Sequence, residues 1–166
     1  MDISIIIVTY NTADLIGGCL DSVLASEGSN CEIIVVDNAS PDNSARFIKE
    51  RYPQVRLIGN SSNRGFAAAN NQALPLCKGR YLFFLNPDTT VKPDALRNAA
   101  SFMDVNPRIG LAGASIINTD GTHQESVSYR YPGERHSSGE LKGLEGSIAC
   151  VLGAAMIARP ELIRKI

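Results

Sequence analysis

The feature that most constrains this chain is a series of continuous apolar runs, each about as long as one β-strand. The runs lie at 3–10 (ISIIIVTY), 32–40 (EIIVVDNAS), 55–60 (VRLIGN) and 80–88 (RYLFFLNPD). A strand that is apolar without alternation is typical of a sheet covered on both faces. We therefore predict that these runs form buried strands of one sheet.

Segments with the spacing of an amphipathic helix alternate with the apolar runs. They lie at 11–24, 40–52, 65–74 and 92–104. Asn11 and Ser40 stand where the first two helices would be capped, since their side chains can accept from free backbone N–H groups. Strands that alternate with helices through short connections form parallel sheets with right-handed crossovers. The predicted fold class is α/β, with a Rossmann-like, mostly parallel sheet flanked by helices.

The composition narrows the class of partner. The chain has 166 residues, 44% hydrophobic and 20% charged, with a formal net charge of −1, which fits one soluble globular domain. Because it has no dense run of Lys or Arg, nucleic acid is not an expected partner. No apolar run approaches the ~20 residues of a transmembrane helix, and the chain enters a strand at once, so we expect neither a membrane span nor a signal peptide. The four cysteines are scattered, as in a cytoplasmic protein with reduced thiols.

The alternation of strands and helices changes after residue 108. The next segment predicts two strands around a turn at Asp120, and 129–147 is polar and rich in Gly and Ser, which predicts a loop. An apolar segment at 148–158 returns to the core, and a helix begins at Pro160. Because that helix shows no stop signal, we expect the chain to be cut from a longer protein.

Polar residues follow the apolar runs directly. In chain order they are Thr9, Tyr10, Asn11, Asp37, Asn38, Asn60, Arg64, Asn86 and Asp88. In open parallel sheets, ligands bind outside the carboxyl ends of the strands, so these side chains mark a candidate ligand site. Helix capping is the better explanation for Asn11, and a helix-entry turn is the alternative for Asp88. The sequence has no G-x-G-x-x-G, G-x-x-x-x-G-K-[ST] or G-x-S-x-G motif, which argues against dinucleotide, P-loop and hydrolase sites.

Four motifs follow one another along the chain: SIIIVTYN, IIVVDNAS, NRGFAAANNQAL and YLFFLNPDT. They resemble the inverting family 2 glycosyltransferases, which have the GT-A fold. The resemblance extends over residues 3–162, because LGAAMIARPEL resembles the family's stretch before its acceptor-side motif. It implies an enzyme that transfers a sugar from a nucleotide donor to a glycan or lipid-linked acceptor, with inversion. The LNPDT motif most resembles that of rhamnosyltransferase-type enzymes of polysaccharide biosynthesis. This resemblance implies dTDP-rhamnose or a UDP-sugar as donor.

The resemblance also implies roles for the polar residues at the strand ends. It places Thr9 and Tyr10 against the base and the ribose of the nucleotide, and Asp37 at the pyrimidine ring. The implied nucleotide-binding set is completed by Asn11, Asn38, Arg64 and Asn86.

Asn86 and Asp88 match the family's Asp-x-Asp motif, whose last Asp binds the divalent cation that bridges the diphosphate. The resemblance therefore implies Mg²⁺ or Mn²⁺ as cofactor, with Asp88 as its ligand. Asn86 replaces the first Asp of the motif, which removes one negative charge. Cations of this kind prefer oxygen ligands and commonly use one or two carboxylates plus substrate phosphates.

The general base of the reaction is expected beyond Ile166. In the family it is an Asp in a Glu-Asp motif downstream of LGAAMIARPEL, and this chain ends before such a motif. We therefore expect a single nucleotide-sugar-binding domain that binds the donor without transferring its sugar. Residues 1–108 would bind the nucleotide, and residues 109–166 would form part of the acceptor side. The parent protein is expected in the cytoplasm, peripheral at the inner face of the membrane.

Other functions stay open at this point. A non-catalytic nucleotide-sugar-binding or interaction module would suit both the missing base and the replacement by Asn86. A nucleotidyltransferase is a weaker alternative, because no Gly-rich, Lys-containing loop follows the first strand. A homodimer through the apolar segment 151–158 is a further open alternative.

Overall fold

The computed structural model describes residues 1–124, 127–128, 150–151 and 153–163, and the predicted loop at 129–147 lies outside this part. The strands are β1 (Ile3–Thr9), β2 (Cys31–Asp37), β3 (Arg56–Gly59), β4 (Tyr81–Leu85), β5 (Leu111–Gly113), β6 (Ile116–Ile117), β7 (His123–Gln124), β8 (Val127–Ser128), β9 (Cys150–Val151) and β10 (Ala155–Ala158). The helices are α1 (Ile16–Leu24), α2 (Ser44–Arg51), α3 (Phe66–Ala73), α4 (Ala95–Val105) and α5 (Pro160–Ile163), with a 3₁₀ turn at Leu74–Leu76. Six strands form the central sheet in the order β3-β2-β1-β4-β10-β5.

The first four strands along the chain run parallel. β1 pairs with both β2 and β4, and β2 pairs with β3, all in parallel register. β10 runs antiparallel between β4 and β5. These pairings confirm the predicted α/β fold with a Rossmann-like, mostly parallel sheet.

Helices cover both faces of the sheet, and this explains the unbroken apolar runs. In β1, Ile5 packs in a cluster with residues of α1 and α4, whereas the adjacent Ile6 packs with residues of α3. The two side chains are 0% and 1% exposed. Burying one isoleucine side chain fully stabilises a fold by about 1.5–3 kcal/mol. Because successive residues of a strand point to opposite faces, a strand covered twice requires apolar residues at nearly every position.

Two predicted helix starts are wrong. α1 begins at Ile16 and α2 at Ser44, several residues after the predicted caps Asn11 and Ser40. The two strand-to-helix loops instead bond to each other: Asn11 N donates to Ser40 Oγ (3.0 Å), Thr12 N to Ser44 Oγ (3.1 Å) and Ala13 N to Asp42 Oδ2 (3.0 Å). The Ser40 hydroxyl accepts from the neighbouring loop, and α2 begins without a side-chain cap. Contacts between the loops outweigh the local capping preference.

The second half of the chain contains its predicted elements where it is described. β6 and β7 pair antiparallel around a turn that contains Gly121, whose φ of 84° favours glycine. β10 carries the apolar segment back to the core, and α5 starts at Pro160 as predicted. None of the helices in the described ranges is long and apolar enough to cross a membrane.

Candidate functional site

Three neighbouring strands bring their ends together at the carboxyl edge of the sheet. Thr9 of β1 is level with Asp37 of β2, and Ile7 of β1 is level with Leu85 of β4. Asn86, which follows β4, therefore lies at the same edge. From β1 the chain proceeds to β2 and β3 on one side and then crosses to β4 on the other, so the strand order reverses here. Ligands of open α/β sheets bind at such a switch point.

Asp37 is buried at this edge with one oxygen that has no partner. Its side chain is 4% exposed, and Oδ2 accepts a hydrogen bond from Ser40 N (3.1 Å). Ala39 has a φ of 65°, which turns the chain back so that Ser40 reaches Asp37. Oδ1 is the one buried side-chain oxygen or nitrogen without a partner in the described part of the chain. An unpaired buried acceptor costs about 1–3 kcal/mol, which a ligand N–H would relieve.

The residues that end β1 differ in their exposure. Thr9 is fully buried, and its hydroxyl bonds to the hydroxyl of Thr12 in the following loop. Tyr10 is 49% exposed, and Asn11 is exposed with a φ of 56°. Tyr10 therefore offers aromatic surface to a ligand next to Asp37, whereas Thr9 shapes the loop from inside.

Asn38 is 2% exposed and bonds to the loop that follows β3. Its amide contacts the side chains of Asn60 and Asn63 and the backbone N of Arg64, at 2.8–3.1 Å. The predicted contact of Asn38 with the nucleotide would therefore compete with bonds inside the protein. Arg64 itself is exposed, and its guanidinium makes no salt bridge or hydrogen bond within the described ranges. An exposed guanidinium of this kind suits a phosphate group.

The loop after β4 carries Asp88 and is held by α1. Cys19 Sγ donates to Asn86 O (3.6 Å), and Ser22 Oγ, nearly one turn further along α1, accepts from Val91 N (3.0 Å). The Asp88 side chain is exposed. The fold therefore fixes the loop on both sides of Asp88 but leaves the carboxylate open to a ligand.

A divalent cation at this edge would have Asp88 as its acidic ligand. Burial, with a smaller effect from the charge of Asp88, raises the pKa of Cys19 to about 12, and the thiol donates its proton to Asn86 O. Within the described ranges, no three His, Cys, Asp or Glu side chains converge as a metal cage. One carboxylate suits Mg²⁺ or Mn²⁺ when substrate phosphates complete the coordination. The donor set therefore fits a cation that arrives with a diphosphate.

Known proteins match this chain in sequence. The family model described as Glycosyl transferase family 2 matches residues 4–166. The succinoglycan biosynthesis protein ExoO of Rhizobium meliloti is 34% identical over 122 residues, which cover 72% of this chain and 35% of that protein. The UDP-Glc:alpha-D-GlcNAc-diphosphoundecaprenol beta-1,3-glucosyltransferase WfaP of Escherichia coli is 36% identical over 103 residues, or 61% of this chain and 41% of that protein.

A solved structure matches the fold. It is the mannosyltransferase PcManGT from Pyrobaculum calidifontis in complex with GDP-Man and Mn²⁺, which matches with a TM-score of 0.72 over 98% of this chain and 46% of that chain. Because the identity is 23%, the likeness concerns the fold alone, and it confirms the predicted GT-A fold. This chain spans less than half the length of each of the three proteins.

Proposed function

The chain belongs to glycosyl transferase family 2, and we propose that it binds the nucleotide-sugar donor of a glycosyl transfer at the carboxyl edge of its sheet. The proposed donor is a UDP- or dTDP-linked sugar, with rhamnose as one sugar to test, and the proposed acceptor is a glycan or lipid-linked glycan. The names of two relatives support this, since one is a succinoglycan biosynthesis protein and the other names UDP-Glc and a diphosphoundecaprenol-linked acceptor. A lipid-linked acceptor would suit a cytoplasmic protein, peripheral at the inner face of the membrane.

The observation that carries the proposal is the unpaired Oδ1 of Asp37. A carboxylate oxygen only accepts hydrogen bonds, so its ligand must present an N–H or O–H group. Uracil and thymine have a ring N3–H, and guanine has a ring N1–H. Adenine and cytosine present N–H only on their exocyclic amino groups, beside a ring nitrogen that is itself an acceptor and repels the carboxylate. Asp37 therefore favours uridine, thymidine and guanosine nucleotides over adenosine and cytidine nucleotides.

The other residues of the edge have separate tasks in the proposed mechanism. Tyr10 offers a ring face to the base or the ribose, and Arg64 balances negative charge on the diphosphate. Asp88 would hold Mg²⁺ or Mn²⁺ at the diphosphate, where the cation neutralises the charge that grows on the leaving group. The PcManGT complex contains Mn²⁺ together with GDP-Man, which supports a divalent cation at the donor site. Because these residues follow strands of one sheet, the donor is oriented before the acceptor arrives.

The proposed reaction is a single displacement. An acceptor hydroxyl attacks the anomeric carbon from the face opposite the diphosphate, the bond from that carbon to the diphosphate oxygen breaks, and the configuration inverts. The proton of the hydroxyl passes to a general base, which has no assigned position in the described ranges. We assign 1–108 to nucleotide binding and 109–166 to part of the acceptor side.

A non-catalytic nucleotide-sugar-binding module is the second candidate, and Asn86 favours it. Asn86 stands where the Asp-x-Asp motif has its first acid, so this edge has one negative charge fewer with which to hold a cation. Sugar transfer from a UDP- or dTDP-sugar by the full-length protein would support the enzyme. Donor binding by the same protein without transfer would support the module.

Thermal unfolding with added nucleotides tests the proposal. UDP or dTDP with Mn²⁺ is expected to raise the Tm, since a ligand at 100 times its Kd stabilises the folded state by about 2.7 kcal/mol. Asp88→Asn is expected to remove the Mn²⁺-dependent part of this shift. The Tm without ligand should change little, because the Asp88 side chain is exposed.

Asp94→Asn is the matched control, because Asp94 is also exposed and lies shortly after Asp88. It should keep the full nucleotide shift. Stabilisation by ADP but not by UDP, dTDP or GDP would contradict the proposed function. A Mn²⁺-dependent shift that survives in Asp88→Asn would contradict the metal assignment.

A further inference from the structure

Asn38 uses every hydrogen-bonding position of its side-chain amide. Nδ2 donates to Asn63 Oδ1 (2.8 Å) and to Gly65 O (3.4 Å). Oδ1 accepts from Asn60 Nδ2 (3.1 Å) and from Arg64 N (2.9 Å). An amide has two donors and two acceptor positions, so none is left for a ligand. All four partners lie in residues 60–65, which we call the 60–65 loop.

The bonds continue from the 60–65 loop into α3. Asn60 and Gln72 exchange two hydrogen bonds, each of 2.9 Å, between their side-chain amides. Asn63 Oδ1 also accepts from Gly65 N (2.9 Å), just before α3 begins. Residues 61–64 are exposed, so apolar packing contributes little to their order. The conformation of the loop therefore depends on this set of amides, with Asn38 as its buried centre.

The 60–65 loop carries a charged residue, Arg64, whose backbone bonds to the residue after Asp37. The Arg64 N–H is bound to Asn38, the residue that follows Asp37, while the Arg64 side chain is exposed. The unpaired oxygen of Asp37 requires a hydrogen-bond donor from the ligand, whereas the Arg64 guanidinium attracts a negative group. A nucleoside diphosphate presents an N–H on its base and negative charge on its phosphates. The distance between Asp37 and Arg64 thus decides whether one nucleotide can contact Asp37 with its base and Arg64 with its phosphates at the same time.

We propose that Asn38 is a positioning residue for nucleotide binding: by fixing the 60–65 loop it sets Arg64 at the distance from Asp37 that a nucleoside diphosphate spans. This inference rests on the proposed function. It reassigns Asn38 from a nucleotide contact to the support of one. A substitution of Asn38 then acts on the diphosphate through Arg64, and it leaves the recognition of the base by Asp37 in place.

A double-mutant cycle measured by calorimetry tests this inference. Asn38→Ala and Arg64→Ala are each expected to raise the Kd for UDP about tenfold, the equivalent of one charge-assisted hydrogen bond. The double variant should bind UDP within about twofold of either single variant. Without Asn38, Arg64 no longer contacts the diphosphate, so its removal causes no further loss of affinity. The Kd for uridine, which has no phosphate, should change less than about threefold in all three variants.

A second cycle combines Asn63→Ala with Arg64→Ala. It avoids a substitution in the core, since Asn63 is exposed. It keeps the test decisive if Asn38→Ala does not fold. Asn63→Asp retains the oxygen that accepts from Asn38 and Gly65, so Arg64→Ala should again cost about tenfold in that background. Asn71→Ala, an exposed amide on α3, is the matched control and should bind UDP like the wild-type chain.

Three outcomes would overturn the inference. Additive losses, with the double variant about a hundredfold weaker than wild type, would show that Asn38 and Arg64 act independently. Equal losses of UDP and uridine affinity would show that Asn38 serves the whole site or the fold. A wild-type chain that binds neither UDP nor GDP would overturn the proposed function together with this inference, whereas the first two outcomes leave the proposed function standing.

Discussion

At the amino-terminal edge of the sheet, the Ser4 hydroxyl donates to Glu32 (2.6 Å) and accepts from the backbone N–H groups of Lys78 (3.1 Å) and Gly79 (2.8 Å). At the carboxyl edge, Asp37 is buried as well but keeps one oxygen without a partner. The same strands begin beside a buried hydroxyl that is fully bonded and end beside a buried carboxylate that is not. Buried polar groups stabilise a fold when they are fully paired and weaken it when they are not.

Backbone conformation also differs between the two edges, with the less favourable conformations at the carboxyl edge. The non-glycine residues with positive φ in the described ranges are Asn11 and Ala39, and both lie in loops at the carboxyl edge. Such conformations cost on the order of 1–3 kcal/mol each and collect at functional sites. In the part of the chain that the structure describes, the strained backbone of Asn11 and Ala39 and the unpaired oxygen of Asp37 all lie at the edge where a ligand would bind. The hydrogen bonds of Ser4 at the amino-terminal edge contribute stability that offsets part of this cost.

The largest expected effect is at Gly79, which packs against the start of β1. A Cβ on Gly79 would lie 2.6 Å from the carbonyl carbon of Ile3 and closer still to Ser4 N, and both are backbone atoms that cannot turn away. Gly79→Ala is therefore expected to lower the free energy of unfolding by about 3 kcal/mol. Chemical denaturation measures this loss. The Kd for UDP of the remaining folded protein should not change, because the substitution lies at the opposite edge.

Gly59→Ala is the control for Gly79→Ala. Nothing lies within 4 Å of a Cβ at Gly59, and its φ is outside the positive range. Gly59 is level with Asp37 at the carboxyl edge, where there is room for the new methyl group. The free energy of unfolding of Gly59→Ala should differ from that of the wild-type chain by less than about 0.5 kcal/mol. Equal losses at the two glycines would contradict the difference between a closed and an open edge.

Asp37→Asn should separate stability from binding at the carboxyl edge. The substitution removes a buried charge that has one hydrogen bond, so we expect the free energy of unfolding to rise by about 1 kcal/mol. UDP affinity should fall about a hundredfold, or about 2.7 kcal/mol, because the acceptor for the base is lost. Denaturation without ligand and calorimetry with UDP measure the two effects.

Asp120→Asn tests whether a gain in stability is special to Asp37. Asp120 accepts from both the backbone N–H and the hydroxyl of Thr122, so its carboxylate is paired. Asp120→Asn should not stabilise the protein or alter UDP binding. A destabilised Asp37→Asn that still binds UDP would show that Asp37 is a structural turn residue.

The sequence predicts features that depend on neighbouring residues better than features that depend on contacts between residues far apart in the chain. The strands were predictable because burial on both faces forces apolar residues such as Ile5 and Ile6 into succession. The location of Asp37 and Asp88 at one edge followed from where the apolar runs stop. Whether these residues bind a ligand stays a prediction.

The helix starts and the part played by Asn38 were beyond the sequence, because their partners are distant along the chain. The bond from Asn11 N to Ser40 spans 29 residues, and the bonds that fill the Asn38 amide span 22–27 residues. A local capping preference cannot register such contacts. Sequence reasoning also missed Asn63 and Gln72 as anchors, although the density of amides between residues 60 and 72 is a signal that could have found them.

The smallest expected effect concerns acid at the amino-terminal edge. Arg80 donates to Asp104 (2.8 Å) and to Asp2 (3.2 Å), and Tyr81 donates to Asp104 (2.7 Å). Arg80, followed by Tyr81, lowers the pKa of Asp104 below its ordinary 3.8. A backbone bond from Asn30, followed by Arg80, lowers the pKa of Asp2 in the same way.

A carboxylate whose pKa is lower in the folded state contributes stability above its unfolded pKa and loses it as the pH falls through the folded value. The wild-type chain should therefore lose more stability than Arg80→Met between about pH 5 and about pH 3, as measured by urea midpoints. The difference should be small, because the side chains of Arg80 and Asp104 are 53% and 44% exposed and solvent screens the pair. Arg46→Met, which breaks the exposed pair with Glu50 on α2, should keep the wild-type pH profile. If Arg80→Met keeps that profile as well, these ion pairs add nothing to the stability of the amino-terminal edge, which then rests on the hydrogen bonds of Ser4 and the packing around Gly79.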